Sequence, residues 1–362
     1  MCAFVAMAPR MAAPFVPGVS VSTVSQSSSS TLQELLDEDL GSEPTTLRGL
    51  TNHLPMALVA KERLGADADE LIRFAAAYSS RVGPLSEAEN RLNEKTWQSA
   101  IGQSAAAADL RSYFERLITE VGPDEALRTH LPALLPGIGG AGFHGAIRLS
   151  YAIEVSSRSR IAAGLAYLAE VGSPLSALVP GEVRTQDPMK VFVELSKSSA
   201  WSVPPSQKTI DEEMRIVAHN ELFSGVVSSL EITDDTEERL AETALHVFAS
   251  SDDFTALHGV TGLAAISSMR PWIDDNELVS RFAFQALTAA YLSIGAPSLW
   301  SPERLDEFAG SNERDHEEVR AVAALSDDEH VSKLVYTAST CWERTNDPLY
   351  LAVAARKALP HS

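Results

Sequence analysis

The stretch 137-GIGGAGFHG-145 decides how the chain is read. Gly137, Gly139 and Gly142 stand at the G-x-G-x-x-G spacing of a dinucleotide fingerprint, and the run continues directly into His144. That fingerprint works only behind a β-strand, because its glycines must turn the chain so that a helix N-terminus meets a pyrophosphate. What precedes Gly137 is DEALRTHLPALLP, in which Leu127, Leu131, Leu134 and Leu135 recur at helical spacing and end at Pro136. The residues after His144 continue as one more helix, so no βαβ unit surrounds the glycines. They are expected instead to form a hinge that lets two helices pack closely.

Outward from this hinge the same period persists. TLQELLDEDL, LPMALVAKERLG, ADELIRFAAAYSS, AAADLRSYFERLITEVG and SRIAAGLAYLAEVG read as amphipathic helices, several of them stopping at glycine. DPMKVFVELSKS, TEERLAETALHVFAS, DNELVSRFAFQALTAAYLSIG, EEVRAVAALS, HVSKLVYTASTCWERT and DPLYLAVAARKAL follow suit. GSPLSALVPGEVRTQDP and WSVPPSQKT read as proline-rich connections, and no internal repeat is visible. The expected fold is all-α: a single large multi-helix domain over residues 31–362, preceded by a disordered tail over residues 1–30. That tail lacks a basic region followed by an unbroken apolar run, so it does not read as a signal peptide.

The chain has 362 residues and is 45% hydrophobic, enough to bury a large core. Its 49 acidic against 29 basic residues give a formal charge of -20, which repels phosphate backbones and anionic lipid; nucleic-acid and membrane partners are not expected. No apolar run reaches the roughly 18 residues that a bilayer span needs. Two cysteines, Cys2 and Cys341, are too few for a disulfide framework or a zinc module, and a reducing, cytoplasmic setting fits them. The acidic runs TDDTEE and NERDHEE read as solvated faces and helix starts. Cys341 reads as a small core residue and Trp201 as loop packing.

Four of the nine histidines have unusual surroundings. His53 opens a helix in TNHLPMALVAKERLG, where Asn52 can cap and Pro55 fits the first turn. His144 follows the hinge, with Arg148 and Tyr151 at i+4 and i+7 on the same helix face. His258 stands among small residues in DFTALHGVTGLAAI, and His330 lies one turn before Lys333 in DDEHVSKLVY.

TNHLPMALVAKERLGA, GAGFHGAIRLSYAIE, FTALHGVTG and DEHVSKLV occur in the order and with the wide separations of the motifs of the questin oxidase family, and the chain resembles that family over nearly its whole length after the tail. The family consists of helical oxidoreductases of aromatic polyketide metabolism. The resemblance implies a non-haem iron held by four histidines and a carboxylated lysine. Its ligands fall on His53, His144, His258, His330 and Lys333, all present here. Imidazole suits iron, and an anionic oxygen lowers the charge of the site while leaving a position for dioxygen. An unmodified lysine cannot serve, because an ammonium has no lone pair.

Two positions depart from the family pattern: Arg148 and Ala264 stand where members commonly carry further histidines. The resemblance thus implies an oxygenase acting on an aromatic or quinone-like small molecule, by Baeyer-Villiger-type or oxidative ring-cleaving chemistry, with questin itself not assumed. Arg148 is expected to orient an enolate or phenolate oxygen and Tyr151 to hydrogen-bond the substrate, both lining the metal's pocket. An external reductant such as NADPH is compatible with this reading. Two alternatives stand beside it: a zinc- or nickel-dependent hydrolase using the carboxylated lysine, and a helical scaffold that binds a ligand without catalysis.

Overall fold

The structure is a computed structural model, and it describes residues 26–201 and 208–359. Seventeen α-helices form among these residues. They are α1 (Gln26–Asp39), α2 (Leu54–Leu64), α3 (Ala68–Ser79), α4 (Ala107–Val121), α5 (Pro123–Leu134) and α6 (His144–Glu154). Then come α7 (Arg158–Val171), α8 (Pro188–Leu195), α9 (Ile210–Ala218), α10 (Phe223–Ser228), α11 (Thr236–Ser251) and α12 (Phe254–Ser268). The chain closes with α13 (Asn276–Ser293), α14 (Pro302–Gly310), α15 (His316–Leu325), α16 (Glu329–Thr345) and α17 (Pro348–Ala358). The described strands are β1 (Ser42–Thr46) and β2 (Val82–Pro84), one antiparallel pair beside the start of α2.

The acidic composition has a local use. Asp67, Asp187, Asp253, Asp275, Asp315, Asp328 and Asp347 each accept a backbone N–H at the start of a helix, satisfying donors that the helix itself cannot. Glu237 and Glu238 of TDDTEE sit in the first turn of α11, and Glu317 and Glu318 of NERDHEE in that of α15, where the helix dipole favours them.

The helix expected to start at Thr31 begins earlier, at Gln26, so the boundary placed between residues 30 and 31 moves toward the N-terminus. Ser28 is already buried, and the serines ahead of Thr31 continue the turn that buries Leu32 and Leu36. The rest of the expected tail, residues 1–25, lies outside the described residues, as do Cys2 and most of WSVPPSQKT. No helix among the described residues is long and apolar enough to cross a membrane.

Among the described residues no parallel sheet surrounds the glycines. Residues Leu135–Gly137 form a short 3-10 turn after α5, and α6 follows at His144. A Cβ at Gly137 would collide with the backbone carbonyl of Gly172 at the end of α7, so the absent side chain permits this close approach. The hinge reading holds, and the dinucleotide reading has no strand to stand on.

Four helices enclose the middle of the molecule. α2 packs on α6 and on α16, and α12 packs on the same two, so the set closes into a ring. α12 is buried along most of its length, from Ala256 to Ile266. A connected apolar core runs from Leu32 to Ala355 around this set.

Candidate metal centre

Each helix of the ring brings one histidine, and brings it near its N-terminal end. His53 immediately precedes α2, His144 is the first residue of α6, His330 the second of α16 and His258 the fifth of α12. Local contacts fix each start. The Asn52 side-chain oxygen accepts the Leu54 N–H at 3.0 Å, and the Tyr78 hydroxyl accepts the His53 N–H at 2.8 Å. Asn52 thus satisfies a first-turn amide as expected, although the capping position itself falls on His53.

His144 is presented by a strained turn. Ala141, Gly142 and Phe143 are consecutive left-handed residues with φ of 50°, 62° and 68°, unfavourable for the two that carry side chains. The turn is held from two sides. Asp211 Oδ1 accepts the Ala141 N–H at 2.9 Å, and the fully buried Phe143 ring fills the space that a Cβ at Gly262 would take. Gly262 lies one turn after His258, so Phe143 sets the fit between the helices that carry His144 and His258.

The four imidazoles form a closed circuit. Ring centroids are 4.6 Å apart for His53 and His144, 4.7 Å for His144 and His258, 5.3 Å for His258 and His330, and 4.8 Å for His330 and His53. Nitrogens of His53, His144 and His330 lie within 4.8 Å of one another, a grouping that can hold a metal ion; His258 flanks it. Lys333, one turn beyond His330, is buried, and its Nζ lies 3.3 Å from His53 Nδ1. Phe254, half exposed, packs against His258 and His330 and forms the outer wall.

The hydrogen bonds of these rings are asymmetric in a way that serves coordination. Nδ1 of His144 faces the Ala141 carbonyl at 2.5 Å, Nδ1 of His258 the Phe254 carbonyl at 2.7 Å, and Nδ1 of His330 the Asp328 carboxylate at 2.9 Å. Each acceptor holds the proton on Nδ1 and leaves a lone pair on Nε2. Among the described residues, Nε2 of all three is buried without a hydrogen-bond partner. An orphaned polar atom in a buried place costs about 1–3 kcal/mol, and the rings of His144 and His330 that carry two of them belong to the grouping that could hold a metal ion, with the third on the flanking His258.

Burial, reinforced by the neighbouring cations, pushes the imidazolium forms of His53, His144 and His258 well below the ordinary histidine range. Burial also brings Lys333 down to about 8, against the pull of Glu329 and Asp328. The helix starts add to this, since their dipoles oppose a cation and favour an anion where they converge.

Arg148 and Tyr151 are placed differently from the expectation. They line a small cavity of about 30 Å³ with Leu36, Asp39, Arg160 and other residues, and none of the five candidate ligands lines it. That is room for water but not for an aromatic ring. Arg148 is captured by the Asn52 carbonyl at 3.0 Å and by Asp39 at 3.4 Å, and it lies over the Tyr167 ring. Its bonds run to the residue just before His53, so it braces the site from behind. The sequence reading gave no role at the site to Asp39, Asp211, Phe143 or Glu329; Phe143 stands beside His144 in the hinge and Glu329 beside His330 in DEHVSKLV, whereas Asp39 and Asp211 lie outside the motif stretches.

A helical ring that brings buried imidazoles and one lysine together defines a class of helical protein with a histidine cluster in its core that could hold a metal ion. The chain belongs to the Questin oxidase-like family: the family's model matches residues 50–338, which takes in all four histidines and Lys333. Membership points to an oxidoreductase acting on natural-product intermediates. No curated protein matches the chain.

Proposed function

We propose that the protein is a non-haem iron oxygenase of an aromatic or quinone-like natural-product intermediate, with Baeyer-Villiger-type or ring-cleaving outcome. His53, His144, His258 and His330 supply imidazole ligands, and Lys333, carboxylated, supplies an anionic oxygen. The single observation that carries this reading is the set of three buried Nε2 atoms without partners, each on a ring whose Nδ1 is already engaged.

Iron, when bound, supplies one-electron and dioxygen chemistry that no side chain here possesses. The chain's own residues keep the imidazoles neutral by burial, exclude water behind Phe254, and fix ring orientation through Ala141, Phe254 and Asp328. Carboxylation joins the neutral Lys333 amine to carbon dioxide through a new N–C bond and releases one proton. The product is an anion, which suits the convergence of four helix N-termini.

The test exchanges Lys333 for Ala and for Glu and follows iron content and dioxygen turnover with and without bicarbonate. Loss of iron in Lys333→Ala, partial recovery in Lys333→Glu and a bicarbonate requirement confined to the native lysine support the reading. Native iron content in Lys333→Ala contradicts it. A colourless zinc protein indifferent to dioxygen would instead favour a hydrolase.

A further inference from the structure

We infer that Glu329 is the carboxylate that orients His53 for metal binding, by accepting the His53 Nδ1–H once Lys333 has been drawn away from that atom. The inference rests on the metal-centre reading above and adds to it a residue that no motif assigned.

His53 differs from the other three imidazoles. Their Nδ1 atoms each have one dedicated acceptor, whereas His53 Nδ1 has two competing neighbours at equal distance: Lys333 Nζ at 3.3 Å and Glu329 Oε1 at 3.3 Å. The two impose opposite tautomers. An ammonium only donates, so facing it Nδ1 must accept, and the proton of the neutral ring then sits on Nε2. A ring protonated there has no lone pair to offer at Nε2. Facing the carboxylate, Nδ1 donates and Nε2 is free, which is the state the other three rings already hold.

Glu329 is built for the second role. It is the first residue of α16, four before Lys333, so the two share a helix face. Its other oxygen lies 3.7 Å from Arg81, whose guanidinium in turn lies over the Tyr78 ring, and the Tyr78 hydroxyl accepts the His53 backbone N–H. Backbone and side chain of His53 are thereby tied to one frame at the end of α3. Lys333 has no such tether among its described contacts, and its side chain is the one free to turn toward an ion. Conversion of Lys333 to an anionic ligand and release of His53 Nδ1 to Glu329 are one rearrangement, so loading of the site switches the partner of His53.

The experiment measures zinc and ferrous iron affinity of the metal-free full chain by chelator competition, for the native protein, Glu329→Ala, Glu329→Gln and His144→Ala. In Glu329→Ala affinity falls about 10- to 100-fold, the usual effect of removing a partner of a ligating histidine. Glu329→Gln keeps a neutral carbonyl acceptor and falls by less. In the zinc-loaded native protein, nitrogen-15 spectra place the His53 proton on Nδ1. Native affinity in folded Glu329→Ala overturns the inference alone, provided that His144→Ala has lost affinity. Native affinity in His144→Ala overturns the metal centre itself, and the inference with it. Should Glu329→Ala fail to fold, the spectra decide: a proton on Nε2 of zinc-loaded His53 overturns the proposal.

Discussion

Lys333 Nζ lies 3.3 Å from His53 Nδ1, although 280 residues of sequence separate the two. The contact exists because α2 and α16 run side by side in the central ring, with His53 immediately before the first and Lys333 one turn into the second. A lysine is seldom placed so deep, and here it faces imidazole rather than a close ion-pair partner. Burial therefore brings its ammonium down to about 8, so that the neutral amine is a minor but accessible form near neutral pH.

The fit between α6 and α12 is predicted to be intolerant of a single methyl group. Gly262→Ala would place its Cβ inside the Phe143 ring, forcing that ring and the strained turn before His144 to move. Overpacking of this kind costs about 1–3 kcal/mol. Thermal unfolding should show the loss, and metal affinity should fall with it, because the displaced turn carries His144. Native stability and affinity in this variant would show that the turn does not set the geometry.

The buried Arg148–Asp39 pair is predicted to act on stability more than on substrate choice. Arg148→Met leaves Asp39 buried with Asn52 as its side-chain donor at 2.8 Å among the described residues, and breaking a buried pair from one side costs on the order of 3 kcal/mol. The double variant Arg148→Met with Asp39→Asn should recover part of that loss in urea unfolding. Equal loss in the single and double variants would mean that the charge pair is not what holds the Asn52 carbonyl in place.

Much of this was legible in the sequence. The helical period around Gly137 ruled out a cofactor cradle, and the four histidine motifs with Lys333 mark the five residues that the fold brings together. What was not legible depends on contacts across the chain. Arg148 follows His144 by one helical turn, which argued for a shared pocket, but Asp39, 109 residues away, captures it first. Asp211 has no local sign of its link to Ala141, 70 residues away. Glu329 stands in DEHVSKLV without a role at the site, and its approach to His53 appears only once α2 and α16 are packed. Helical period reports which face is buried and is silent on which neighbour waits there.

Stability is predicted to fall between about pH 4.5 and pH 7 through Glu170 on α7. Burial raises its carboxyl to about 7, with Glu43 adding and Arg148 opposing. Because the folded state binds this proton more tightly than the unfolded chain, the advantage is full below the unfolded value and is lost as pH rises through the folded one. Glu170→Gln removes the dependence. The native protein should lose roughly 1–3 kcal/mol relative to that variant between pH 4.5 and pH 8. Parallel unfolding curves for the two proteins across that range would contradict the assignment.

Metal analysis of the purified full chain, reconstituted anaerobically with ferrous iron, tests the central claim most directly. The predicted result is one iron per chain in the native protein and a loss of at least about 10-fold in affinity when His144 or His330 is exchanged for Ala. A folded native protein that takes up no divalent metal, or His144→Ala and His330→Ala variants that bind iron as the native protein does, would contradict it.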